Sequence, residues 1–233
     1  MQIGMPDFGK NQQCFRLAVF PPGGQDKNMV SFKVVAFDCD GVIFDTEQAN
    51  RTYYSDILQY FGMPAVTDEQ FAFVHMHTVF ESLAYLFPTE KTLTAAHAFR
   101  KTMDYRDYLS YFVMEPHLVS LLKKLKPQFK TAIATNRSDT MNRLLAAFDL
   151  KGYFDLVVTA SDVERPKPHP DALIKISDHF QISSNQVIYI GDSQLDELAA
   201  KAAGMPLVAY RNPELSAAYH VNHLNELEGL LDV

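Results

Sequence analysis

Residues 34–45 read Val34-Val35-Ala36-Phe37-Asp38-Cys39-Asp40-Gly41-Val42-Ile43-Phe44-Asp45. The first four are β-branched, small or aromatic, the pattern of a strand covered on both faces. The run stops at Asp38-Cys39-Asp40-Gly41, which sets two carboxylates one residue apart at the C-terminal end of a buried strand. Open α/β sheets bind their ligands at that edge. Side chains alternate along an extended chain, so Asp38 and Asp40 share a face and Cys39 points away. Gly41 permits a tight backbone departure that would turn amide groups toward a bound anion.

Taken alone, the stretch has three readings. Asp and Gly favour turns, so it could be a plain strand-to-turn sequence. A calcium loop is the second, but an EF-hand needs Gly at its sixth position and Glu at its twelfth. Counted from Asp38, those positions hold Ile43 and Ala49, which removes that reading. A catalytic carboxylate pair is the third, and the surrounding chain decides for it.

Outward from this stretch, residues 46–115 carry apolar residues at helical spacing and no evident strand. A helix is expected over 46–60, ending at Gly62 and Pro64, with helical structure continuing over 67–87 and 89–114. Beyond it the pattern alternates. Helices over 117–125, 139–148, 171–180 and 195–203 precede strands over 131–135, 156–158, 187–190 and 207–209, and a last helix falls within 222–231. Such alternation implies a parallel sheet with helices on both faces, an α/β Rossmann-like core. The expected division is a core from 31–45 and 116–233, an all-helical domain of 46–115 inserted into it, and an N-terminal extension over 1–30. Met29 is a conceivable alternative start.

Composition fits this picture. The chain has 233 residues, 47% hydrophobic and 12% aromatic, enough for a large core and far from a disordered composition. A net charge of −7 argues against nucleic acid or an anionic membrane as the main partner, though not against an anionic small molecule held in a local cradle. The two cysteines, Cys14 and Cys39, form no disulfide framework, so a reducing cytoplasm is expected. No apolar run reaches the ~18 residues that would span a bilayer. A monomer or homodimer is the expected state.

Polar clusters follow four of the strands: Asp38 and Asp40, Thr135-Asn136, Lys167, and Asp192 with Asp196. Parallel strands deliver their C-terminal ends to one edge, so the four should converge. Together they match what phosphoryl transfer from a monoester needs: a nucleophile, a cation, donors for the phosphoryl oxygens and an acid for the leaving oxygen. Asp38 would attack phosphorus through its carboxylate. Asp40 would serve as acid and base. Thr135, Asn136, Lys167 and the Gly41 turn would bind the phosphoryl group. Mg²⁺ prefers oxygen ligands and would take the Asp38 and Asp192 carboxylates with the Asp40 main-chain carbonyl, Asp196 holding metal-bound water or a loop. Singly, each residue also has a plain structural reading. Asn136 could cap a helix, Lys167 could be a solvated lysine between two prolines, and Asp196 could favour the first turn of its helix. His75 and His77 suggest a metal pair, but no third ligand follows at suitable spacing, so packed or surface histidines are expected.

The ordered set Asp38-x-Asp40-Gly41-Val42, Ala134-Thr135-Asn136, Arg165-Pro166-Lys167-Pro168-His169-Pro170-Asp171 and Gly191-Asp192-Ser193-x-x-Asp196-x-x-Ala199-Ala200-x-x-Ala203-Gly204 resembles the haloacid dehalogenase superfamily. It is most similar to the phosphatase branch with a helical cap after the first strand, near phosphoglycolate phosphatase and β-phosphoglucomutase. The resemblance implies a Rossmann-like core, Mg²⁺ dependence, and the roles just given for Asp38, Asp40, Thr135, Asn136, Lys167, Asp192 and Asp196. True dehalogenases of that superfamily lack the second aspartate, which Asp40 supplies here. The mutases usually carry a Gly-x-x-Arg stretch in the cap, whereas residues 75–83 contain neither Gly nor Arg. The expectation is therefore a Mg²⁺-dependent hydrolase of small phosphorylated metabolites acting through an aspartyl-phosphate. A phosphosugar mutase is the second reading, and a non-catalytic phosphometabolite sensor or protein-binding module on the same fold is the third.

Overall fold

The computed structural model describes residues 31–233. The N-terminal extension, with Cys14 and Met29, lies outside the described residues. Strand β1 (Val34–Phe37) leads through β2 (Phe44–Asp45) into helices α1 (Glu47–Tyr60), α2 (Asp68–Val74), α3 (Val79–Leu86) and α4 (Glu90–Arg100). A 3-10 turn over Tyr105–Tyr111 and strand β3 (Val113–Met114) bring the chain back. There follow α5 (Leu118–Leu125), β4 (Lys130–Ala134), α6 (Met141–Ala147), β5 (Leu156–Val158), α7 (Asp171–Phe180), β6 (Val187–Gly191), α8 (Gln194–Ala203), β7 (Leu207–Tyr210), β8 (Tyr219–Val221) and α9 (Glu226–Leu231).

The main sheet has the order β5-β4-β1-β6-β7-β8, and every pair is parallel. β1 lies between β4 and β6, with Phe37 opposite both Ile133 and Ile190. That register carries the chain ends after Phe37, Ala134 and Gly191 to one edge, and the charged clusters follow those ends.

Both faces of β1 are covered, as its unbroken apolar run requires. Val35 and Phe37 pack with Leu118, Leu121 and Leu122 of α5 and Leu144 of α6. Val34 and Ala36 pack on the other face with Leu173 and Ile176 of α7 and Ala199 of α8. Leu118, Leu121 and Leu122 are each at most 1% exposed, and burial of such a side chain stabilises by about 1.5–3 kcal/mol. Cys39 falls in the same cluster as Phe37, as strand alternation requires.

The segment between β2 and β3 is helical, and its first helices build a core of their own. Tyr54, Ile57 and Leu58 of α1 meet Phe71, Val74, Leu83 and Leu86 of α2 and α3. Four features differ from the sequence expectations. The helix expected over 89–114 ends at Arg100, and Tyr105–Tyr111 form a 3-10 turn. Helix does not run through 67–87: it breaks at residues 75–78, because Thr78 caps α3 in a reciprocal capping box with Glu81. The ribbon β2–β3, with Phe44 opposite Met114, is unexpected: β3 lies inside the 46–115 stretch that shows no evident strand in the sequence, and β2 lies just before it. The edge strand β8 went unexpected too, having three residues and a polar centre at His220. Among the described residues, no helix is long and apolar enough to cross a membrane.

Candidate active site

Asp38 leaves β1 with its carboxylate 9% exposed and held on one side only. Its Oδ1 accepts from the Cys39 amide at 2.7 Å and pairs with Lys167 Nζ at 2.8 Å. No described residue donates to Oδ2. Burial and the nearby Asp196 carboxylate push the Asp38 carboxyl up to about 7, against the pull of Lys167. Its ionised form is thus costly in the protein alone and would be favoured by a further cation.

Lys167 is 3% exposed at its side chain and bonds Asp38, Asp196 (2.7 Å) and the Tyr189 hydroxyl (3.0 Å). Burial opposes its charge, but the Asp196 and Asp38 carboxylates outweigh it and raise its pKa. Asp196 is fully buried. Its Oδ1 accepts from Lys167 and Tyr189, and its Oδ2 from Ser193 Oγ and, at 3.1 and 3.3 Å, from the amides of Ser193 and Asp192. Burial would raise this carboxyl, yet Lys167 and these donors hold it low. With both oxygens already engaged, Asp196 braces Lys167 and the 192–193 turn, a task different from holding metal-bound water. Asp196→Asn is expected to cost about 3–5 kcal/mol, since it strips a buried ammonium of a partner; the shift of a urea-unfolding midpoint measures it.

Asp192 stands apart from this network. No described residue donates to its carboxylate, and burial together with Asp196 and Asp38 pushes its pKa well up. Oxygens of Asp38, Asp192 and Asp196 lie within 4.8 Å of one another. The Asp40 carbonyl also accepts no hydrogen bond among the described residues. This all-oxygen set, with Asp192 unpartnered among the described residues and Asp38 only partly offset by Lys167, fits a small hard cation. Gly41 makes room for it. Its φ is +79°, and a Cβ there would stand 2.1 Å from Asp192 Oδ2. Its own amide is spent on the Phe44 carbonyl at 2.8 Å, so Gly41 itself serves by opening space for Asp192. Gly41→Ala is expected to displace the Asp192 carboxylate and remove at least a hundredfold of metal-activated turnover, about 2.7 kcal/mol in barrier; metal titration of the variant checks it.

Thr135 keeps a free hydroxyl hydrogen: its Oγ1 accepts from the Arg137 amide at 3.1 Å. Asn136 is committed elsewhere. Its Nδ2 donates to the carbonyls of Lys167 (3.0 Å) and Met76 (3.1 Å), and its Oδ1 accepts from the Lys167 amide (3.0 Å). Its side chain therefore positions Lys167 and ties the 75–78 break to the sheet edge, so only its main-chain N–H remains for an anion.

Asp40 meets a partner that the sequence reading passed over. Arg137 forks onto it, Nε to Oδ2 and Nη2 to Oδ1, both at 2.7 Å. Thr46 Oγ1 adds a bond to Oδ1 at 2.5 Å. Burial would raise the Asp40 carboxyl, but Arg137 and Thr46 hold it below the usual range. The signal was present: an arginine directly follows Thr135-Asn136, at a strand end already marked as part of the site.

The cavity over these groups is lined from the helical side by Tyr53, His75, Met76, Arg100, Tyr105 and Tyr108. The two histidines form no metal pair. His75 Nδ1 meets Asn50 Nδ2 at 3.1 Å, and His77 stacks on Phe73 with its Nδ1 against the Phe73 carbonyl at 2.8 Å. Tyr54 also lines the cavity, whereas Phe44 is buried in the core.

Residues 35–210 match the family described as haloacid dehalogenase-like hydrolase. The chain belongs to this family. A crystal structure of a haloacid dehalogenase-superfamily hydrolase, subfamily IA, variant 1, from Geobacter sulfurreducens PCA superimposes with a TM-score of 0.71 at 38% identity, covering 88% of this chain and 99% of that one. The fructose-1-phosphate phosphatase YqaB of Escherichia coli is 30% identical over 177 residues, 75% of this chain and 94% of its own. The phosphoglycolate phosphatase of Escherichia coli is 37% identical over 95 residues, so the match spans 40% of this chain and 38% of that relative. Family membership agrees with the resemblance carried by the four strand-end motifs and with the Rossmann-like sheet.

Proposed function

We propose that this chain is a Mg²⁺-dependent phosphatase of small phosphomonoesters that works through an aspartyl-phosphate on Asp38. One observation carries the reading: Asp38 lines the cavity beside Asp192 with one oxygen fixed by Lys167 and its own strand end, while no described residue donates to the other. A fixed carboxylate with one free oxygen is a nucleophile held in aim. The similarity to two phosphatases supports the same class.

Asp38 Oδ2 attacks phosphorus and the leaving oxygen departs, taking a proton relayed from solvent by Asp40. Water then attacks the aspartyl-phosphate, Asp40 accepts its proton, and Asp38 is released with inorganic phosphate. The Thr135 hydroxyl and the Asn136 main-chain N–H hold phosphoryl oxygens, while the Lys167 ammonium, whose three N–H bonds go to Asp38, Asp196 and Tyr189, offsets their charge. Asp38, Asp192 and the Asp40 carbonyl would hold Mg²⁺, which when bound offsets the negative charge of the phosphoryl group. Residues 46–115 act as a cap that excludes bulk water, with Asn136-to-Met76 as one point of contact. A cavity lined by tyrosines, His75, Met76 and Arg100 suits a small polar leaving group, such as a phosphorylated hydroxy acid, sugar or mononucleotide.

A panel of phosphorylated metabolites, assayed for phosphate release with Mg²⁺ and with chelator, tests this. Mg²⁺-dependent release from at least one small monoester is expected. No release across the panel rejects the proposal, and accumulation of a sugar bisphosphate in place of free phosphate identifies the mutase instead.

A further inference from the structure

The Arg137–Asp40 fork has no part in the proposed reaction as written above. Arg137 is 9% exposed at its side chain and Asp40 16%. A buried ion pair of this kind is a poor source of stability, because its desolvation offsets most of its attraction. Its placement calls for another reason, and the hydrogen bonds supply one.

Every described group bonded to the Asp40 carboxylate is a donor. Arg137 gives two N–H bonds and Thr46 one hydroxyl, with Asn50 Nδ2 at a distant 3.5 Å. An arginine has no acceptor to offer, so this surrounding presents hydrogens to Asp40 and asks for none. A bidentate fork also fixes the carboxylate plane. The remaining arms of the guanidinium are anchored as well. Nη1 donates to the Tyr105 hydroxyl at 2.6 Å and to Thr140 Oγ1 at 3.2 Å, and the group lies 5.0 Å from the centre of the Phe112 ring. Four of its five N–H bonds are therefore assigned, which leaves little for a substrate. Tyr105 and Phe112 belong to the stretch that returns from the helices to the sheet, so the fork is set by where that stretch lies.

We infer that Arg137 is a positioning residue that aims Asp40 as the proton acceptor of the hydrolytic half-reaction and couples that aim to the return segment through Tyr105. The inference rests on the proposed aspartyl-phosphate chemistry and adds to it. In that half-reaction the water oxygen bonds to phosphorus and the bond from phosphorus to Asp38 breaks. One water proton passes to an Asp40 oxygen, and the Asp38 carboxylate returns. The fork restores the ionised Asp40, which passes this proton to solvent, and this balances over the turnover the proton gained by the leaving oxygen. An Asp40 freed from the fork still carries its carboxylate but no longer points it.

Rapid mixing of the full chain with p-nitrophenyl phosphate and Mg²⁺ separates the two halves, because nitrophenolate leaves without an acid. For Arg137→Gln the first release of nitrophenolate should persist while the second step slows by about tenfold to a hundredfold. The result is a burst close to one product per site, a lower kcat and a lower KM. Arg137→Lys should recover only part of kcat, since an ammonium cannot fork. Tyr105→Phe should give a smaller burst of the same kind, and this variant carries the test if Arg137→Gln does not fold. A burst and a steady rate that fall together overturn the inference, as does a raised KM at unchanged kcat, which would make Arg137 a substrate clamp. The underlying reading is judged separately on the unaltered protein: without a phosphoryl adduct trapped on Asp38, that reading fails before any variant is compared.

Discussion

Asp38→Asn is expected to lose phosphatase turnover by a factor of about 10⁴ or more while the protein stays folded, the scale seen when an enzyme's nucleophile is removed. The substitution keeps the shape of the side chain and replaces the bare Oδ2, the atom proposed to attack phosphorus. Lys167 loses one anionic partner but keeps Asp196 and Tyr189, so the ammonium is not orphaned. Stability should move the other way from activity. The Asp38 carboxyl sits at about 7 in the fold, above an unfolded aspartate near ~3.9. A raised carboxyl stabilises the fold at low pH, and that contribution is lost as pH rises toward 7. At pH 8 without metal the unaltered protein bears the cost of ionising Asp38, and the asparagine variant does not. Its thermal midpoint at pH 8, metal-free, should therefore equal or exceed that of the unaltered protein, with the difference shrinking toward pH 4. A variant that turns over within tenfold of the original rate removes Asp38 from the nucleophile role. A variant that has simply unfolded would show in the same melting curve.

How much of this was legible in the sequence depends on the range of the interaction that fixes each feature. β1 was legible because Val34 to Phe37 form an unbroken apolar run, and burial on both faces leaves no other reading of so short a stretch. The convergence of Asp38, Thr135, Lys167 and Asp192 followed from the parallel order of their strands, a property of topology. The β2–β3 ribbon was not legible, because two-residue strands carry no period and Phe44 finds Met114 only once the helical segment has folded. The break at 75–78 could have been read. Thr78 followed three residues later by Glu81 is a capping box, but the apolar spacing on either side masked it.

Roles were less legible than positions. Asn136 lines the cavity, yet a one-dimensional reading gives an amide no direction, and its three bonds turn toward Lys167 and Met76. Asp196 was marked for its motif, whereas its function as the brace of Lys167 depends on Tyr189, a residue that reads only as part of a buried strand. Arg137 was passed over because its partner lies across the sheet edge at Asp40, ninety-seven positions away. A reading by motif collects the charged groups of a site, and only geometry says which of them neutralise one another.

Among those groups Asp192 is the one left unneutralised, and it yields the sharpest physical test of the metal site. No described residue donates to its carboxylate, which lies near that of Asp38, and its pKa is pushed well up by burial and by Asp196 and Asp38. A cation binding only to the folded protein stabilises it by about 2.7 kcal/mol at a hundred times Kd, which for a chain of this size is roughly 5–10 °C in the thermal midpoint. Mg²⁺ should produce such a shift in the unaltered protein. The shift should grow between pH 5 and pH 8, because the raised carboxyls of Asp38 and Asp192 must lose their protons to bind a cation. Asp192→Asn removes a ligand and a source of repulsion at once. Its metal-free midpoint at pH 8 should match or exceed the original, its Mg²⁺ shift should vanish, and its Mg²⁺-activated turnover should go with it. Asp196→Asn, by contrast, should lower the metal-free midpoint, since its oxygens serve Lys167 and the 192–193 turn. If Asp192→Asn keeps the full Mg²⁺ shift, the cation is held elsewhere. If it instead melts far below the original without metal, the Asp192 carboxylate stabilises the fold in a way its lone position does not account for, and the repulsion argument fails.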